Sequence, residues 1–273
     1  MGVFDMATLI QNIQQVISDF SSIKNALEEK NVDVSNTPTS EYGNKILSIK
    51  DNQQLLGDIL SDNITEIVLP DSVTSIRQYS FYYNNVVRAI TLSDNTTKIG
   101  KSAFMNCSTI EYLKFGKGLQ IIDDTAFCNC QKLSEIHFSN NLKSIGLSAF
   151  RYCTSLSEII IPQGVEKIFG EAFSGCNKVK KLFLPNSITS LNSSSFLSLS
   201  ALVDVTVENG FCADNLNLSN STLLTRETLV NIFNALGSRV DNMKYTLILG
   251  TNNLAKLTDE DKEIAYSKNW NLK

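Results

Sequence analysis

Six cysteines, a single histidine and a few clustered carboxylates are the residues of this 273-residue chain whose types and spacing could do chemistry. Cys107, Cys130, Cys153 and Cys176 recur every 23 residues, Cys128 stands two before Cys130, and Cys212 stands apart. Sulfurs can ligate a metal, exchange electrons or act as small apolar fillers. Residues at one position of a repeat fall in a line, and a line of thiols cannot surround one ion tetrahedrally, so a structural ladder of reduced thiols is expected, with no metal site. His137 lies between Ile136 and Phe138 in an alternating stretch. Its side chain points out of a flat strand with no pocket wall beside it, poor ground for a Ser–His–Asp triad. Glu135 and Glu158 share a repeat position, about 5 Å apart by strand spacing, the separation of a retaining glycosidase pair. No concave pocket is implied around them, so a solvated column accounts for them better. Asp123-Asp124 reads as a coil corner and Asp259-Glu260-Asp261 as the first turn of a helix. No G-x-x-x-x-G-K or G-x-G-x-x-G is present to cradle phosphate. No catalytic residue and no cofactor are expected.

The elements that position these residues follow from composition and period. With 42% hydrophobic residues the chain can bury a core. A formal charge of −4 argues against a protein that coats nucleic acid. No apolar run reaches the ~18–20 residues of a membrane-spanning helix. The opening MGVFDMATLI has no basic stretch ahead of an apolar core, so no secretory signal is visible. Phenylalanine stands at 81, 104, 127, 150, 173 and 196, always 23 apart. Five residues before it run Ile76, Ile99, Ile122, Ile145, Ile168 and Leu191, and nine and eleven after it come pairs such as Ile90/Leu92, Leu113/Phe115, Ile136/Phe138 and Ile159/Ile161. A 23-residue unit cannot fold alone and must stack on its neighbours. Each alternating pair is then a short strand with one face inward, and strands stacked about 4.8 Å apart make a parallel sheet. Corners such as Ile161-Pro162-Gln163-Gly164-Val165 turn the chain out of the sheet towards a second short extended piece. Ala103, Ala126, Ala149 and Ala172 place a small residue beside each large ring.

Phase-locked columns of this kind resemble the 23-residue, BspA-like class of bacterial leucine-rich repeats, whose pattern is L-x-x-I-x-L-P-x-x-V-x-x-I-x-x-x-A-F-x-x-C. Lys143-Ser144-Ile145-Gly146-Leu147-Ser148-Ala149-Phe150 follows it closely. The resemblance implies an α/β solenoid: a right-handed leucine-rich repeat coil with a parallel sheet, an N-terminal helical segment and helix-backed C-terminal repeats. The repeats span 64–209, preceded by a linker or N-cap at 51–63 and followed at 210–273 by strand–helix repeats that cover the open end.

Residues 8–30 read as an amphipathic helix, with Leu9, Ile13, Val16, Phe20, Ile23 and Leu27 on one face and Thr8 as N-cap. Part of that stripe fits coiled-coil positions, and residues 39–50 offer Tyr42, Ile46 and Ile49 as a partner face. A helical hairpin and a short oligomerising coil both remain open for this 1–50 attachment segment. Ile23-Lys24-Asn25-Ala26-Leu27, Thr37-Pro38 and Lys45-Ile46 are similar to N-terminal segments of phage and prophage tail proteins of gut Firmicutes, as is the ending from Leu249 to Trp270. That likeness implies a virion location, with self-association or virion attachment through the N-terminal helices. A bacterial cell-surface or secreted adhesin is the alternative. Downstream, Leu216/Leu218, Thr246–Leu249 and Trp270/Leu272 read as strands, 225–236 as a helix, and Thr258 as the cap of another.

The outward positions of the strands carry Tyr112, Lys114, Glu135, His137, Glu158, Ile160, Lys181 and Phe183. A purely solvating face has no need of Tyr112, Ile160 or Phe183, so this strip is expected to bind a protein or a cell-surface polysaccharide. The competing reading is an ordinary solvated sheet.

Overall fold

Apolar residues at alternate positions of each unit form short strands, and the computed structural model describes these through residues 66–69, 71–238 and 244–273. The helix expected at 8–30 and its partner at 39–50 lie outside these residues. One wall of the coil is built from β1 (Glu66–Val68), β3 (Ala89–Thr91), β5 (Tyr112–Lys114), β7 (Glu135–His137), β9 (Glu158–Ile160), β11 (Lys181–Leu184) and β13 (Asp204–Val207). A second wall is built from β2 (Ser75–Ile76), β4 (Lys98–Ile99), β6 (Ile121–Ile122), β8 (Ser144–Ile145), β10 (Lys167–Ile168) and β12 (Ser190–Leu191). Every pairing is parallel and in register by one unit: Ile90 faces Leu113, and Ile99 faces Ile122. The six strands of the second wall form one sheet.

The third wall is the Ala-Phe turn. The Phe104 and Phe127 N–H groups donate to the carbonyls of Ala126 and Ala149 in the next coil at 2.7 Å. Their rings stack in a continuous file, Phe81 on Phe104 at 4.8 Å, Phe104 on Phe127 at 5.0 Å, then Phe150, Phe173 and Phe196 at 5.2, 5.2 and 5.6 Å, all within 8° of parallel. Phe104 through Phe173 are fully buried, with Ala103, Ala126, Ala149 and Ala172 beside them. Two further columns on this wall hold the backbone at positive φ, one at Tyr79, Ser102, Thr125, Ser148 and Glu171, the other at Tyr83, Asn106, Asn129, Tyr152, Gly175 and Ser198.

The first wall departs from expectation. It was expected as one sheet, but it divides into β1-β3-β5-β7 and β9-β11-β13, with no pairing between β7 and β9. Leu69, Leu92 and Ile161 N–H groups donate to the Thr91, Lys114 and Phe183 carbonyls at 2.9, 2.8 and 3.1 Å. Among the described residues, the same repeat position makes no such bond at Phe115 or Phe138. These are the two coils in which a planar ring replaces leucine or isoleucine. The Phe138 ring meets Phe150 edge-on at 5.6 Å and reaches Phe173 at 6.4 Å, so it spans more than one coil. The interruption falls beside the coil in which a ring of that reach packs under the wall, and Ile136 is left half-buried where Ile90, Leu113, Ile159 and Leu182 are buried.

Beyond β13 the period changes. Thr225 caps α1 (Arg226–Ala235) by accepting from the Thr228 N–H, and the helix buries Leu229, Ile232 and Phe233. β14 (Leu216–Asn217), β15 (Tyr245–Ile248) and β16 (Trp270–Leu272) form a parallel sheet in that order. Between β15 and β16 lie α2 (Gly250–Leu254), which the sequence reading does not anticipate, and α3 (Asp259–Tyr266). Thr258 and Asp261 cap α3 reciprocally. Asp261 also accepts from Arg226 Nε and Nη2, each at 2.7 Å, tying the first turns of the two helices together. Lys268 Nζ donates to the Phe233, Asn234 and Leu236 carbonyls, closing the end of α1. The last coil is thereby covered: Phe196 and Leu199 are buried, whereas Leu69, Val73 and Phe81 of the first coil are only half-buried.

Two outcomes follow. Phe150→Ala removes a ring stacked on both faces and should cost about 3–5 kcal/mol in urea denaturation, with Phe81→Ala costing less because its ring is half-buried. Bonds from Arg226 and the Thr258 N–H hold the Asp261 carboxyl below its ordinary range. Its stabilisation is therefore present above pH ~4 and lost as pH falls through the lower folded value. The Tm of the native chain should fall more steeply than that of Asp261→Asn below pH ~4.

Candidate functional site

The outward side chains of the first wall occupy two columns, because each three-residue strand turns its middle residue inward and the two beside it outward. Tyr112 and Lys114 flank buried Leu113, Glu158 and Ile160 flank Ile159, and Lys181 and Phe183 flank Leu182. Register sets Tyr112 beside Glu135 and Lys114 beside His137 on one half of the wall. On the other half it sets Glu158 beside Lys181 and Ile160 beside Phe183. Within β7 the His137 ring reaches the Glu135 carboxylate, Nε2 to Oε1 at 2.6 Å, which fixes the imidazole over the face. Ile160 is 45% exposed, a branched apolar side chain in solvent with the half-buried Phe183 ring as its neighbour.

All eight expected face residues thus lie on the solvent side of the first wall, but in two groups of four. Glu135 and Glu158 stand on opposite sides of the β7–β9 break. Unpaired strands are not held at ladder spacing, so the expected separation of about 5 Å and with it the retaining-pair geometry lose their basis. Both carboxylates are exposed.

The thiol ladder occupies the interior behind this wall. Cys107, Cys130, Cys153 and Cys176 are fully buried, and each Sγ donates to the carbonyl of the phenylalanine 26 residues earlier, at 2.8, 3.1, 3.2 and 3.2 Å. Burial pushes the Cys107 and Cys176 thiols up to about 12 and the Cys130 and Cys153 thiols well above their ordinary value. A thiol held protonated is neither nucleophile nor ligand. Cys128 belongs to another column, its thiol also raised, by burial. All six cysteines are free, and among the described residues no group of three or more histidine, cysteine or acidic side chains could hold a metal.

Sequence reasoning passed over the exposed tyrosines of the third wall, Tyr79, Tyr83 and Tyr152. The signal lay in columns otherwise filled mainly by asparagine, serine or glycine.

A stack of 23-residue coils with parallel strands on two walls, an apolar file inside and a two-column solvent face is a leucine-rich repeat solenoid. The family described as BspA type leucine rich repeat region matches in six copies, over 60–180 and 97–225. Those matches take in more than half of the chain, and the chain belongs to that family. Among solved structures, the leucine rich repeat protein of T. pallidum is similar at 23% identity over 62% of this chain and 82% of its own, with a TM-score of 0.57. A leucine-rich repeat protein from Bacteroides ovatus matches at 23% identity over 68% of this chain and 52% of its own, TM-score 0.45. A leucine rich cell surface protein from Faecalibacterium prausnitzii matches at 24% over 52% of this chain and 32% of its own, TM-score 0.39. The chain thus spans about half and about a third of the last two proteins. No curated protein matches the chain. No enzyme family is indicated.

The buried ladder gives a direct readout. In native protein treated with a maleimide, Cys212, which is half-buried, should be labelled first. The four ladder thiols should react only at the rate of global unfolding, as followed by mass spectrometry.

Proposed function

We propose that this chain is a non-enzymatic binding protein of the adhesin type that holds its partner on the solvent face of the first wall. The observation that carries the reading is the pair Ile160 and Phe183, set side by side by strand register with Ile160 in solvent. Apolar groups beside the Glu158 and Lys181 column of the same strands have the anatomy of a binding hot spot with a polar rim. A backbone held by inter-coil bonds loses little freedom on association, which favours affinity from a small contact.

Family membership supports a cell-surface or secreted role, since BspA-type repeat proteins are typically found there. The partner is then a protein or polysaccharide of a neighbouring cell. A phage tail-associated receptor-binding component is the second reading. It is favoured by the likeness of Ile23–Leu27, Thr37-Pro38 and Lys45-Ile46 to tail-protein segments, with residues 1–50 attaching to the virion or to another copy. Among the described residues no helix is long and apolar enough to cross a membrane.

Fluorescently labelled protein applied to panels of bacterial and epithelial cells, with binding read by flow cytometry, tests the face. The double variant Ile160→Ser/Phe183→Ser should lose about tenfold or more of the cell-bound signal with an unchanged circular dichroism spectrum. Undiminished binding by the folded variant would refute the assignment.

A further inference from the structure

The coil that carries Phe183 also carries a surplus of positive charge. Lys178 and Lys180 flank buried Val179, so both side chains leave the corner between the third wall and the first, and Lys181 follows as the first residue of β11. All three lysines are exposed. Among the described residues none of the three has an ion-pair or side-chain hydrogen-bond partner. Elsewhere in the stack cations find acids: Lys98 pairs with Asp123 at 2.9 Å, Lys117 with Asp94 at 3.4 Å and Arg151 with Glu171 at 2.8 Å. The most direct comparison lies in the same column. Lys132, two coils before Lys178, reaches Glu111 of the preceding coil at 4.0 Å. Where Lys132 has Glu111, Lys178 has Ser157.

The neighbouring coils leave that charge standing. One coil either side of Lys180 are Ser157 and Val203, and one coil either side of Lys178 are Ser155 and Ala201, so no charge stands beside these two in their own columns. Lys181 differs, because register sets it between Glu158 and Asp204, which balance it. The surplus therefore sits on Lys178 and Lys180, in a chain whose formal charge is −4. Apolar surface adjoins it. Val203, one coil beyond Lys180, is 43% exposed, and the Ile160/Phe183 pair lies further along the same wall.

Ammonium groups left without acids, beside exposed apolar side chains, match a surface that brings carboxylates and apolar groups together. We infer that the Lys178–Lys180 corner and the Ile160/Phe183 pair jointly take a protein partner that presents acidic side chains next to apolar ones. The inference rests on the first wall being the binding face. Exposed charges act mainly on encounter and register, so the lysines draw the partner in and orient it. The apolar pair supplies the holding contact. An anionic polysaccharide meets the lysines equally well, but it sets hydroxylated surface against Ile160, where burial gains little.

Titration of the labelled full chain onto fixed cells of the same panels, read by flow cytometry, tests the corner. Lys178→Glu/Lys180→Glu should lose about tenfold or more in apparent affinity, and Lys178→Gln/Lys180→Gln less. Lys143→Glu/Lys167→Glu makes the same change of net charge at exposed positions of the second wall and should bind as the native chain does. Raising the salt from about 0.05 M to about 0.5 M should weaken the native chain several-fold, because the Debye length shortens. Protease treatment of the cells should abolish binding, and periodate should leave it. The inference is overturned by native affinity in Lys178→Glu/Lys180→Glu, or by an equal loss in the second-wall variant. Binding that survives protease and disappears with periodate overturns it too, as does binding to no cell of the panels. The reading of the face fails on a different result, undiminished binding by Ile160→Ser/Phe183→Ser. Loss in that variant with native affinity in the lysine variant overturns the corner alone.

Discussion

The phenylalanine rung is the constraint on which the rest of the molecule depends. In the central coils a single residue type makes three kinds of contact at one height. Its ring stacks on the ring below, its N–H donates to an alanine carbonyl of the next coil, and its own carbonyl receives a thiol. The three are compatible only if consecutive units lie one strand spacing apart, and the ring separations of 4.8–5.6 Å match the ~4.8 Å of a parallel ladder. Ring stacking and strand pairing therefore reinforce each other, which is local agreement of the kind that makes a repeat fold reliably. Cysteine fits this column because it is small, apolar and carries one weak donor at the right height, a role that needs no reactivity.

Against so regular a frame, departures carry the individuality of the protein. One wall is interrupted between β7 and β9, beside the coil in which Phe138 stands in a leucine column, while the other two walls stay continuous through the same coils. The solvent face is consequently divided, polar and titratable on one side of the opening, more apolar on the other. Two tyrosines, Tyr83 and Tyr152, stand in a left-handed column otherwise filled by asparagine, glycine and serine. Both departures retain the period, so neither disturbs the stack.

Much of the fold was legible from spacing alone. The phenylalanine file, the thiol ladder, the two strands per unit and the direction of the eight face residues all follow from columns that recur every 23 positions. The helix at Arg226–Ala235 and the capping of α3 by Thr258 were visible as a stripe and a cap. The break in the first wall was not. Periodicity scores Phe115 and Phe138 as apolar, equal to Leu92 or Ile161, and only their ring shape distinguishes them. The distance inferred between Glu135 and Glu158 likewise assumed a pairing that β7 and β9 do not make. Backbone sign was equally hidden: a column read as Tyr, Asn, Asn, Tyr, Gly and Ser hints at left-handed turns, but hydrophobic patterning ignores it. The short helix Gly250–Leu254 has no side-chain N-cap to announce it.

One end of the stack is plugged by α1 and the β14–β16 sheet, and this bears on how such a chain can change length over generations. Because the plug docks against β13 of the final coil, loss or duplication of a whole interior unit leaves the ending undisturbed and sets each ring back upon another. A gain or loss of any other length would shift every later column out of step. Unequal crossing-over in whole units is therefore the tolerated route of variation, and it would lengthen or shorten the outer walls without redesign of the interior.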